Sequence, residues 1–246
     1  MMKKLFILLL IAVTAAGCKN KANLYIKRTF SGKAPATLIL ERNDIDKYVV
    51  IDTAKIRKNK FSFKTRITEP EFFQVRTGKD DFITLLAHPG DNISLSFNGT
   101  PLVDNYTVKG SKESEQLREL DLRLIQTHNS LDSIRKAYQS LSGTELAVKG
   151  PALENKYVAA VNRQRMHNIK FILENIRSMA SIKALYQRID ENTYVLYQPR
   201  DLQYLKIVSD SLNAAYPESK NVKALTADVK NELNQMYVNR LSKIAE

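Results

Sequence analysis

The sequence predicts an α+β protein, in which an N-terminal antiparallel β-sandwich-like domain is followed by a C-terminal helical domain. Three observations predict it. Every glycine lies at or before Gly150, and residues 32–110 are cut by turn signals about every ten residues, as in chains of short strands. Within that stretch apolar residues recur with period two. After Gly110 they recur with helical spacing instead.

The chain begins MMKKLFILLLIAVTAAGC. Two lysines, a short apolar run and small residues ending at Gly17-Cys18 have the order of a secretory leader, too short to span a bilayer as a stable helix. The segment resembles a bacterial lipoprotein signal, although Ala15 stands where such sites usually carry Leu. Residues 1–17 are therefore expected to be removed, leaving Cys18 as a lipidated first residue and 18–21 as a tether. Several acyl chains on one cysteine make a stable anchor where a single chain would not.

The whole chain carries a net charge of +12. Without Lys3 and Lys4, 36 Lys plus Arg remain against 26 Asp plus Glu. Outside the cytoplasm a basic protein meets few nucleic acids, so no nucleic-acid partner is expected. The charge favours anionic membrane surfaces, lipopolysaccharide or acidic glycans, or it simply solvates helices. Dense basic runs occur only at Arg57-Lys58-Asn59-Lys60 and Arg163-Gln164-Arg165. Cys18 is the single cysteine. Once lipidated it leaves no thiol for a disulfide, a redox cycle or a thiolate ligand.

Between residues 22 and 110 eight strands are expected. Residues 60–67 alternate, with Phe61, Phe63 and Ile67 on one face and Lys60, Lys64 and Arg66 on the other. Residues 92–97 repeat the pattern. Residues 37–40, 48–51, 72–75 and 82–86 are short apolar runs rich in strand formers, and 24–30 and 105–108 complete the set. Arg57 to Lys60 and Pro89-Gly90-Asp91-Asn92 read as turns between neighbouring strands, making most pairs antiparallel hairpins.

From 111 to 246 the reading is helical. Leu117, Leu120, Leu124, Leu131, Ile134, Tyr138 and Leu141 form one apolar seam, interrupted by Thr127. Ser111 supplies its cap and Glu113 and Glu115 its first-turn acids. Gly143 and then Gly150-Pro151 are expected to end it, with a second helix opening at Pro151. Shorter helices follow over 178–189 and 201–215, and a last one from Ser219 through Met236.

These features together resemble a known arrangement. The lipoprotein leader, Lys60-Phe61-Ser62-Phe63, Pro70-Glu71-Phe72-Phe73, the Pro89-Gly90-Asp91 turn and Val108-Lys109-Gly110-Ser111 before Glu115-Gln116-Leu117 look like the N-terminal domain of unknown function on thioredoxin-like (TlpA/AhpC-TSA type) bacterial lipoproteins. Ser178-Met179-Ala180-Ser181, Ser211-Leu212 and Tyr216-Pro217-Glu218-Ser219 extend the likeness through the helices. In that family a thioredoxin domain with a Trp-Cys-x-x-Cys site follows the last helix. This chain has no Trp and no second Cys, so no redox residue carries over. The resemblance implies an accessory region, or a truncated one, without the catalytic part.

No catalytic, cofactor-binding or metal-binding residue is assigned. His88, His128 and His167 are expected in a loop and in two different helices, without ligand spacing. No phosphate-cradling Gly loop, Gly-x-Ser-x-Gly or His-Glu-x-x-His is present. Asp80-Asp81 and Asp44 with Asp46 sit beside turns, where Asp serves the backbone. Tyr186, Tyr194, Tyr197 and Tyr204 form a candidate sugar-binding surface or a core rim. Asp52-Thr53-Ala54, Asp132-Ser133-Ile134 and Asp210-Ser211-Leu212 each resemble a bacterial Asp-Ser/Thr-apolar O-glycosylation signal, making Thr53, Ser133 and Ser211 candidate acceptors.

The functional expectation is a non-enzymatic, lipid-anchored envelope module, at the outer membrane and facing the periplasm. Its partners would be the membrane, through the anchor, and an envelope protein of thioredoxin-like type. The alternatives are the N-terminal part of a thiol-disulfide oxidoreductase, and a surface lipoprotein that binds glycan.

Overall fold

The computed structural model describes residues 22–245 except Asp46, and describes side chains for these apart from Arg28 and 237–245. The expected leader at 1–17, the expected tether with Cys18, and Asp46 lie outside the described residues.

Among the described residues eight strands form two four-stranded sheets: β1 (Leu24–Phe30), β2 (Thr37–Asn43), β3 (Tyr48–Lys55), β4 (Lys60–Thr65), β5 (Glu71–Arg76), β6 (Phe82–Ala87), β7 (Asn92–Phe97) and β8 (Tyr106–Lys109). The sheet orders are β4-β1-β7-β8 and β3-β2-β5-β6. Their facing sides bury Leu24, Ile26, Phe61, Phe63, Leu38, Leu40, Ile83, Leu85, Ile93 and Leu95 in one core, as two stacked amphipathic sheets must. Phe30, Phe61 and Phe97 meet at one end, the Phe30 and Phe97 rings stacked at 4.8 Å. The period-two reading of 60–67 is realised: Phe61 and Phe63 are buried while Lys60, Ser62 and Lys64 are exposed.

Strand pairing departs from the hairpin expectation at two turns. Arg57 and Lys60 bond to each other through both backbone groups, with positive φ at Lys58 and Asn59. This tight turn nevertheless joins β3 to β4, which lie in opposite sheets, and the Pro89-Gly90-Asp91 turn likewise passes from β6 to β7. The turn residues reverse the chain but do not choose the partner. Partner choice follows the shared core, which places β1 parallel to β7 and antiparallel to β4.

Five helices follow: α1 (Lys112–Gln139), α2 (Gly143–Glu174), α3 (Ala180–Tyr186), α4 (Leu202–Ala215) and α5 (Lys220–Ala245). The expected break at Gly150-Pro151 is corrected, because Pro151 lies inside α2. Gly150 has no Cβ to meet the proline ring, and its face is filled by Leu146 and Tyr138. The carbonyl left without a donor belongs to Ala147, an exposed residue that water reaches.

The boundary near Gly110 is a packed junction. Phe72 of β5 and Leu86 of β6 turn away from the sandwich core and join Leu117, Leu120, Met179 and Ala180 in the helical core. Gly110 has φ +87°, and a Cβ there would sit 2.2 Å from the Asn92 carbonyl oxygen. Only glycine fits this corner.

Candidate functional site

Three of the four singled-out tyrosines line one groove, of about 730 Å³, with the link from α3 to α4 on one wall and α5 on the other. Its construction starts in the buried polar layer between α1, α2 and α3. Thr127 Oγ1 donates to Gln164, Gln164 Nε2 to Asn168 (2.9 Å), and Asn168 Nδ2 to Gln187 Oε1 (2.9 Å) and the Ala184 carbonyl (2.8 Å). Gln187 Nε2 closes the chain on the Leu120 carbonyl at 3.1 Å. Each buried amide has a partner, so the network fixes how these helices sit.

From Gln187 the chain makes a small loop in which Ile189 and Thr193, then Val195 and Gln187, bond through the backbone. The loop carries Tyr194 to the groove. Arg188 donates to the Tyr194 hydroxyl at 2.7 Å, and its guanidinium lies 4.3 Å from the ring centroid. The next wall is a single 3₁₀ turn at Pro199–Asp201. Buried Asp201 accepts from Arg165 of α2 through both carboxylate oxygens and from the Gln198 amide at 3.0 Å. This bidentate pair pins the turn to α2, and it holds the Arg165 guanidinium above its ordinary pKa against the opposing effect of burial.

Across the groove α5 presents Asp228, Asn231, Glu232 and Gln235, one helical face. The Tyr186 hydroxyl donates to Asp228 at 2.8 Å. Burial, followed by this carboxylate, pushes the Tyr186 phenol above its ordinary pKa. The Tyr186 and Tyr194 rings meet edge to face at 6.3 Å. Tyr194, Tyr197 and Met236 remain 38, 50 and 46 % exposed. The groove thus offers ring faces, amides and carboxylate oxygens, the groups with which proteins hold a polar ligand or a partner side chain. Tyr204 is elsewhere, packed against the helical core. The acidic and amide face of α5 was missed in the sequence, although its spacing of three, one and three is that of a polar helix face.

A second cluster occupies the junction. His88, in the β6–β7 turn, bonds through Nε2 to Glu113 of α1, and Ser178 Oγ donates to the other Glu113 oxygen. Asp91 Oδ2 accepts the His88 amide at 2.9 Å. The hydrogen bond to Glu113 raises the His88 pKa, with burial opposing. Burial alone would raise Glu113, but the bonds from His88 and Ser178 outweigh it and hold its carboxyl below the ordinary value. The carboxylate sits between hydroxyl and imidazole, so the three groups clamp sheet, α1 and α3 rather than pairing Ser178 with an imidazole base.

The remaining singled-out residues are dispersed. Asp81 accepts from Thr77 and from the Leu102 amide, and Asp44 accepts from Lys220 at 2.9 Å. Among the glycosylation candidates, Thr53 is exposed on the edge strand β3, Ser133 is exposed on α1, and Ser211 is partly buried on α4. His128 lies in α1 and His167 in α2, and neither Nε2 has a hydrogen-bond partner. Among the described residues no group of three or more His, Cys, Asp or Glu lies close enough to hold a metal ion, and no helix is long and apolar enough to cross a membrane.

No curated protein and no solved structure matches the chain. Residues 25–117, which run from β1 through all eight strands into the first turns of α1, match the family described as Domain of unknown function (DUF4369).

Proposed function

We propose that the chain is a lipid-anchored module of the cell envelope that binds rather than catalyses, and that the tyrosine-lined groove receives a thioredoxin-like envelope protein. The observation that carries this reading is the groove's place beside the middle of α5, the last helix, which contributes Asp228, Asn231, Glu232, Gln235 and Met236. In the lipoproteins that the chain resembles, a thioredoxin domain follows the last helix, so a partner of that type would stand next to α5. Exposed Tyr194, Tyr197 and Met236 are of the residue types that anchor protein interfaces. Lipid on Cys18 would hold the module at the outer membrane, facing the periplasm.

The test is a pull-down from a membrane extract with the intact lipoprotein and with Tyr194→Ala/Tyr197→Ala. Capture of a protein carrying its own Cys-x-x-Cys, reduced at least about tenfold in the variant, supports the reading. Equal capture by both, or capture of no such protein, overturns it. The Cys18→Ser chain alone should not reduce insulin disulfides, and turnover by it would refute the accessory role. A second reading is favoured by the ring faces beside Asn192, Asn231 and Gln235, which also suit a saccharide. Saturable binding of an envelope glycan, abolished by the same double variant, would select it.

A further inference from the structure

The outward face of α2 carries a pattern that no packing explains. Lys149, Lys156, Arg163, Lys170 and, just past the helix, Arg177 stand seven residues apart, and Ala152, Ala159, Met166 and Leu173 follow three residues after the first four. Near-integral turns at this interval make two adjacent ridges, one basic and one apolar, along a single helix face. The opposite face of α2 does the packing, burying Ala160, Gln164, Ile169, Phe171 and Ile172. Both ridges are exposed throughout, with Met166 57 % and Leu173 52 % accessible. In the middle, Arg123 of α1 and His167 join Arg163 and Lys170 around Met166 in one shallow depression. The acids nearby are Glu145, which accepts from Lys149 at 2.8 Å at the start of the ridge, Glu174, 3.8 Å from Lys170, and Glu119, so Lys156 and Arg163 form the part of the ridge that these acids flank rather than fill.

The position of this face relative to the chain's start decides what covers it. The described chain enters beside the β6–β7 turn, where Asn23 O accepts the Gly90 amide at 2.9 Å. Asp91 of that turn and Arg177 line the same groove, so the foot of the basic ridge lies beside the entry point. Cys18 precedes Ala22 by four residues, at most about 14 Å of extended chain. From Lys156 to Lys170 the ridge runs about 21 Å along the helix.

We infer that the outer face of α2 is a membrane-docking surface, which lays Lys156, Arg163 and Lys170 against the phosphate-bearing headgroups of an anionic lipid leaflet, with Met166 and Leu173 entering the interface. The inference rests on the lipid-anchored reading for its geometry, because a tether this short keeps the ridge at the bilayer. Cations at an anionic surface act within a screening length of about 8 Å at physiological salt, and exposed apolar side chains between them add area that water otherwise covers. The tether and the ridge together would hold the module in one orientation.

The experiment separates this contact from the lipid anchor by using the mature chain carrying Cys18→Ser. Co-sedimentation is measured with phosphatidylcholine vesicles, with and without phosphatidylglycerol. Binding to the anionic vesicles only, lost between about 0.15 M and about 1 M salt, is expected. Arg163→Gln/Lys170→Gln should lower the partition coefficient about 30-fold, whereas Lys58→Gln/Lys60→Gln, in the β3–β4 turn, should leave it unchanged. Absence of binding to anionic vesicles, equal binding to neutral ones, or the same loss in both variants overturns the inference. Retention on an acidic glycan without vesicle binding also overturns it and assigns the face to glycan. Fatty-acid labelling of the wild type tests the anchor separately: a chain without label at Cys18 refutes the anchor and leaves the vesicle result standing.

Discussion

Ser114, in the first turn of α1, closes the edge of β6. Its Oγ accepts the Leu86 amide at 3.0 Å and donates to the Leu86 carbonyl at 2.8 Å, a carbonyl that Ser111 Oγ also reaches at 2.7 Å. β6 is the last strand of its sheet, and its outward backbone groups have no strand beyond them. Two buried hydroxyls take that strand's place, which makes α1 a cover for the sandwich as well as the first helix of the second half.

Ser114→Ala should therefore cost about 1–3 kcal/mol, because it leaves a buried amide without a partner. Urea unfolding measures the loss, and hydrogen exchange should show faster exchange at the Leu86 amide than at Leu85. A neutral result would mean that the sheet edge is solvated and that α1 does not seal it.

Gly110 connects β8 to α1 at a corner that no side chain tolerates. Gly110→Ala adds a Cβ 2.2 Å from a backbone oxygen at a positive φ, so strain and clash act together. The expected destabilisation is roughly 2 kcal/mol or more, read as a lower urea midpoint. By contrast Gly78→Ala, which meets nothing within 4 Å, should be nearly silent.

The strands were legible because each has one face in the sandwich core. The alternation of Phe61 and Phe63 with Lys60, Ser62 and Lys64 maps directly onto burial. Pairing was not legible, since β3 and β4 are joined by a tight turn yet belong to different sheets. The doubled pairs Phe72-Phe73 and Leu85-Leu86 held a clue that these strands bury both faces. The groove was half legible: the tyrosines fall within twelve residues of one another, whereas Asp228 and Glu232 arrive from a helix more than thirty residues on. Contacts that depend on three-dimensional closure, such as His88 with Glu113, leave no local pattern to read.

The wall of the groove depends on one buried ion pair. Arg165 and Asp201 have side chains 6 and 2 % exposed, so removing either partner strands a charge. Arg165→Met should cost about 3–5 kcal/mol, and Arg165→Met/Asp201→Leu should recover much of it. If the double variant is as unstable as the single, the pair holds the 198–201 turn by geometry that apolar packing cannot replace. If stability is recovered instead, partner capture by the double variant reports whether the turn must be pinned for binding.

The junction clamp gives stability a pH dependence whose sign follows from its two shifts. His88 is raised by Glu113, so its contribution is fully present below the ordinary histidine value of about 6.5 and is lost as pH rises through the folded value. Glu113 is lowered, so its contribution is present above the ordinary carboxyl value and is lost as pH falls through the folded one. Both groups are charged between those limits, and the pair is strongest from about pH 5 to about 6.5. Asp91, on the same turn, further favours the imidazolium. The stability difference between wild type and His88→Gln, measured by urea unfolding across pH, should be largest in that window and shrink toward pH 8. Glu113→Gln should remove the same feature, because either substitution leaves one member of the pair. A difference that is flat with pH would mean that His88 is neutral throughout and that Glu113 is held by Ser178 and the Met179 backbone without it.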